Sequence, residues 1–170
     1  MRRRCFCFVL AMCSGLAGKA SATERPNFVD DIRQILATRG ATRAVAQMSA
    51  TGDWGRFIDR VSSGDIGAII LARELSKGTD AGASEDITIG LAEALPKAPR
   101  HVLGVLISDP NGTLSYSQVC SAPFIEDTPK HQRTYKAAAL RAVRRVVRSR
   151  DPDLTLPSKL CIAELKRIKS

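Results

Sequence analysis

Few residues in this chain have types and spacings that could do chemistry. They are two histidines, the cysteines, a cluster of carboxylates and a run of arginines. A free thiol at Cys120, with His101 or His131 as base, would make a cysteine–histidine nucleophile. That chemistry needs a reduced cysteine whose pKa is depressed. His101 and His131 lie far apart in sequence, and neither has a second His, Cys or Asp at metal-ligand spacing. No metal and no other cofactor is expected. Asp109-Pro110-Asn111-Gly112-Thr113-Leu114 has the opening of a calcium loop. Its sixth and twelfth positions, which need glycine and glutamate, hold Leu114 and Cys120, so the stretch reads as a turn. Asn111-Gly112-Thr113 also fits a glycosylation sequon, a pattern short enough to arise by chance. No Gly-x-Ser-x-Gly stands at a strand-to-helix elbow. Asp80, Glu85, Asp86 and Glu93 share one helical segment. The first three sit near its start, where negative charge complements the helix dipole without any acid–base role.

The basic run is the strongest functional signal. Arg141, Arg144, Arg145 and Arg148 recur at i, i+3, i+4 and i+7, so one helix face carries all four. Lys130, Arg133 and Lys136 precede them, while Tyr135, Ala139, Val143, Val146 and Val147 form the other side. The plain reading is the solvated face of an amphipathic helix. The functional reading is a patch for an acidic partner, either an envelope or secreted protein or an anionic membrane surface. Nucleic acid is excluded by the export signal described next and by the scarcity of aromatics that could stack on bases.

The first 22 residues read as a secretory signal peptide. Arg2, Arg3 and Arg4 make the basic start, Cys5 to Leu16 the short apolar core, and Ala20-Ser21-Ala22 the small-residue cleavage site. Leu10-Ala11-Met12-Cys13 offers a lipoprotein variant of the same export logic. Arg3-Arg4 is a partial twin-arginine match. The chain holds 26 Lys and Arg against 17 Asp and Glu. Cleavage after Ala22 removes Arg2, Arg3, Arg4 and Lys19 and no acid. That leaves 22 against 17, a net charge of +5 for residues 23–170. Cys5, Cys7 and Cys13 leave as well. Cys120 and Cys161 remain, and an even pair in an oxidising compartment reads as a disulfide rather than a nucleophile. The expected location is the periplasm, with no membrane span after the leader.

The elements that position these residues are helical. Trp54, Phe57, Ile58 and Val61 fall at helix spacing. Ile66, Ile69, Ile70 and Leu75 nearly repeat it. Ile87, Leu91, Ala94 and Leu95 follow, then Val102, Leu103, Leu106 and Ile107. Earlier, Pro26 to about Thr38 forms a helix with Phe28, Ile32, Ile35 and Leu36 inward, and residues 41–50 form another. Thr51-Gly52-Asp53 and Ser63-Gly64-Asp65 read as a glycine stop followed by an aspartate cap, and Thr79-Asp80 as a third cap. Gly82 and Gly90 fall inside a helix, where small residues permit close packing. Residues 113–119 fit a short strand or a helical turn. Pro129 opens the longest helix, to about Ser149. Pro152 and Pro157 bracket a loop before a last helix with Leu160, Cys161, Leu165 and Ile168. The expected fold is all-α: seven to nine short antiparallel helices in an irregular bundle or a short helical-hairpin stack.

Gly78-Thr79-Asp80-Ala81-Gly82, Leu91-Ala92-Glu93-Ala94-Leu95-Pro96 and the segment from Pro99 to Leu103 resemble a group of small exported proteobacterial proteins of unassigned activity. The likeness spans roughly residues 51–165. It implies an all-helical exported protein with two spaced cysteines in its C-terminal half, and it carries no catalytic residue across. Three function classes follow. The first is a periplasmic interaction protein without catalysis, acting as an adaptor or in an immunity-type role. The second is a cell-envelope enzyme whose site has no recognisable motif. The third is a small-molecule or lipid carrier, which needs an enclosed apolar pocket.

Overall fold

A computed structural model describes residues 27–106, 112–124 and 128–168. The proposed signal peptide and most of the Asp109–Gly112 turn lie outside them. Nine α-helices and one 3-10 turn, Ser76–Gly78, follow one another among the described residues. They are α1 Phe28–Arg39, α2 Ala41–Thr51, α3 Asp53–Ser63, α4 Ile66–Leu75, α5 Ala81–Ala94, α6 Pro99–Val105, α7 Tyr116–Val119, α8 Pro129–Arg148 and α9 Pro152–Arg167. The fold is all-α, as the spacing predicts, and of residues 113–119 the last four form the helical turn α7.

The breaks have local causes. Gly52 and Gly64 end α2 and α3 in the left-handed region, at φ 75° and 92°, which a side chain disfavours. Asp65 then caps α4, its carboxylate accepting from Ala68 N at 3.0 Å. Asp80 caps α5 through Ala83 N at 2.9 Å. Asp53 departs from the expected pattern. It is already the first residue of α3, past the cap position, and its carboxylate takes Arg56 at 3.0 Å and the Thr51 hydroxyl at 3.0 Å.

One continuous hydrophobic core runs through the molecule. Helix α5 is its centre, and Ile87, Leu91 and Leu95 are wholly buried. Helix α3 lies along α5 and sets Phe57 and Val61 against it. A Cβ on Gly90 would already touch Val61 and the Ser62 hydroxyl at 3.4 Å, so this glycine does permit close helix contact. Gly82 does not; apart from its own cap residue Asp80, it faces open space. Trp54 near the start of α3 meets Asp86 in mid-α5, and Lys97 beyond α5 reaches back to Ser62 O at the end of α3. The two helices therefore run in the same sense, because α4 returns the chain between them. Trp54 is half-buried at the edge of the core, and Phe57 takes the central place.

Two further details differ from the sequence pattern. Helix α4 buries Ala68, Ile69, Leu71, Ala72 and Leu75, while Ile66 and Ile70 are half exposed. Its sequence is apolar nearly all round, so spacing alone does not select the inward face. Pro157 lies inside α9 rather than in a loop. A proline there leaves the Asp153 carbonyl without its usual N–H donor. Asp153 is exposed, so water can take the place of that donor.

Candidate binding face

Helix α8 carries the basic run. Thr128 caps it, its hydroxyl accepting from His131 N at 3.3 Å, and Pro129 occupies the first turn, where a missing N–H costs nothing. Tyr135, Ala139, Ala142, Val143 and Val146 are buried against the core. Val147, expected on that side, is 40% exposed because it falls at the edge of the apolar stripe.

Arg141, Arg144, Arg145 and Arg148 are all exposed. Among the described residues none of the four has a carboxylate partner, while Arg33, Arg56, Arg60, Arg100 and Arg167 each do. Lys130 and Arg133 extend the exposed face toward the start of the helix. From Thr128 to Arg150 the chain has eight Lys and Arg and no acid. That exceeds the net charge of +5 over residues 23–170, so the rest of that stretch is net negative.

Helix economy does not account for this distribution. Cations in the last turn complement the helix dipole, which covers Arg145 and Arg148. The first turn favours acids and contains none; it holds Lys130 instead. Arg141 with Arg145 and Arg144 with Arg148 are like-charge i,i+4 pairs, each costing about 0.2–0.5 kcal/mol. The face thus carries a small stability cost with no compensating ion pair among the described residues.

The helix is held at several points. Helix α9 packs antiparallel along it. Lys136 Nζ donates to Ile168 O at 2.7 Å, joining the first half of α8 to the end of α9. At the other end Arg100 reaches Ser149 Oγ at 2.8 Å and pairs with Asp151. Cys161 of α9 is bonded to Cys120, and both are wholly buried. Cys120 is therefore no nucleophile, and the disulfide reading of the two cysteines holds.

The remaining candidates separate. His101 is exposed on α6, and His131 stacks on Phe124 with ring centroids 5.9 Å apart. Among the described residues no three His, Cys, Asp or Glu side chains are placed to share an ion. Asp80 is a cap, and Asp86 accepts from Trp54 Nε1 at 2.7 Å. Glu85 borders a polar cavity of about 420 Å³ beside Thr88 and Gln118. Thr88 Oγ1 lies 2.9 Å from Ser84 O and 3.0 Å from Thr113 O and ties the loop to α5. Among the described residues Glu85 is the one carboxylate that lines it.

Two features have no counterpart in the sequence reading. One is the Trp54–Asp86 bond, which spans 32 residues and has no local signature. The other is an open groove of about 260 Å³ between the end of α5 and the first half of α8. Phe124 stands edge-on to Tyr135 there, centroids 5.0 Å apart at 88°. The Tyr135 hydroxyl is buried without a hydrogen-bond partner among the described residues, and burial pushes its pKa well above the ordinary phenol value. The Phe124-His131-Tyr135 set comes from a loop and a helix, and its one local signal in the sequence is the i,i+4 spacing of His131 and Tyr135.

No protein-family model, curated protein or solved structure matches this chain. Among the described residues no helix is long and apolar enough to cross a membrane.

Proposed function

We propose that this is an exported helical interaction protein that binds the acidic surface of an envelope or secreted protein through α8, as an adaptor or in an immunity-type role. One observation carries the reading: Arg141, Arg144, Arg145 and Arg148 stand exposed and without carboxylate partners among the described residues, on a helix pinned at both ends. Such a face attracts negative charge along the last two turns of the helix, about 10 Å from Arg141 to Arg148. Its rigidity limits the entropy lost on binding. The apolar side of α8 is already buried in the core, so the helix has no hydrophobic face free to enter a bilayer. That favours an acidic protein over an anionic membrane. The periplasmic location rests on the leader pattern and accords with the disulfide.

The test is capture from a periplasmic extract at low ionic strength. The wild-type protein should retain a stoichiometric partner that a variant with Arg141, Arg144, Arg145 and Arg148 all changed to Glu releases. Equal retention by both proteins would remove α8 from the interface. N-terminal sequencing of exported material should give Thr23, and an intact Met1 on cytosolic material would overturn the export reading.

A further inference from the structure

We infer that the groove beside α8 is the anchor pocket of the same interface, and that the partner segment carries one aromatic or large aliphatic side chain flanked by carboxylates. This rests on the acidic-partner reading of α8. The groove holds about 260 Å³, below the roughly 300–1,000 Å³ of sites for whole small molecules, and so is of a size for one side chain. Phe124 and Tyr135 supply aromatic surface, and Ala138 leaves room on the α8 wall. Glu93 stands on the opposite wall, on α5.

The arginines continue from the pocket in register. Thr134 and Ala138 line the groove, and Arg141 and Arg145 follow Ala138 at i+3 and i+7 on the same face. They lie about 4.5 Å and 10.5 Å further along the helix axis. An extended segment advances about 3.3 Å per residue. A side chain seated in the pocket therefore places the carboxylates that follow it within reach of Arg141 and Arg145. A partner that read charge alone would need no apolar notch at the end of the stripe.

The experiment uses two labelled peptides, one phenylalanine flanked by glutamates and the same peptide with alanine at the centre. Fluorescence anisotropy follows binding to the disulfide-intact protein at stepped ionic strength. The phenylalanine peptide should bind roughly tenfold tighter or more, the preference expected from burying an aromatic side chain. Ala138→Trp fills the groove and should erase that preference, leaving the salt-dependent binding of the alanine peptide in place. Arg141→Glu with Arg145→Glu should abolish binding of both peptides. Equal, salt-dependent affinity of wild type for the two peptides would overturn the anchor pocket and leave the basic face standing. Binding of neither peptide at low salt would overturn the acidic-partner reading and the pocket with it. Retention on phosphatidylglycerol vesicles without binding of either peptide would assign the face to membranes and do the same.

Discussion

Cys120 and Cys161 are bonded with their Cα atoms 5.4 Å apart, across a sequence separation of 41 that encloses the whole of α8. Cys120 follows α7 and Cys161 lies inside α9, so the bond closes the chain around the arginine helix. In the chain-entropy description a loop of that length is worth roughly 4 kcal/mol. That is a large part of the ~5–15 kcal/mol that holds a typical domain together. Cys120→Ser should lower stability by a few kcal/mol and open α9 to protease before the other helices. Intact mass and thiol titration after denaturation check the bond itself; two free thiols in periplasmic material would disprove it.

Asp65 gives a pH-dependent prediction. Burial alone would raise its carboxyl pKa. The N–H groups of Ala68 and Gly67 and the Arg60 guanidinium at 2.8 Å outweigh that and hold the pKa below 3.8. A carboxyl depressed on folding contributes stability above its unfolded pKa and loses it as pH falls through the folded one. Asp65→Ala should therefore cost about 1 kcal/mol at pH 7, the usual value of a helix cap. The gap from wild type should close as the pH drops below 3.8. Denaturant melts at both pH values measure it, and a constant gap would contradict the assignment.

Two glycines should respond in opposite directions to alanine. A Cβ at Gly78 would clash with Thr42 N and the Ala41 carbonyl carbon, backbone atoms at the start of α2. Gly78→Ala should cost about 1–3 kcal/mol, as overpacking does. A Cβ at Gly82 meets nothing closer than Asp80 Oδ1 at 3.9 Å. Gly82→Ala should stabilise by about 0.4–1 kcal/mol through the unfolded chain. Thermal melts of the pair decide it, and equal effects would contradict the packing of the 3-10 turn on α2.

Tyr135→Phe should leave stability unchanged or raise it by about 1 kcal/mol, because it removes a buried hydroxyl that has no partner among the described residues. A loss of more than about 1 kcal/mol would mean that the hydroxyl is bonded in solution.

Much of this was legible in the sequence because helices write their spacing locally. Phe57 and Val61, Ile87 and Leu91, and Cys161 and Leu165 are buried at the i, i+4 intervals that predict them. Gly52, Gly64, Asp65 and Asp80 mark breaks through backbone freedom and capping chemistry that need no tertiary contact. What stayed hidden depends on packing. In α4 both Ile69 and Ile70 suit a core, and only contact with neighbouring helices buries the first and exposes the second. Pro157 reads as a breaker, yet α9 tolerates it near an exposed turn. The arginine face was visible from residue spacing. The groove was not, since Phe124 and Tyr135 are 11 residues apart and no local spacing pairs them.

The binding role proposed for α8 rests on its exposed arginine face, and the charge of that face can be tested without knowing the partner. Poly-glutamate should bind the wild-type protein with an affinity that falls steeply as salt rises past the screening length of about 10 Å at 0.1 M. Arg144→Glu with Arg148→Glu should remove that binding. Exposed positions usually shift stability by no more than about 0.5 kcal/mol each, so the melting temperature should barely move. Identical salt-dependent binding by the wild type and the double variant would contradict a binding role for α8.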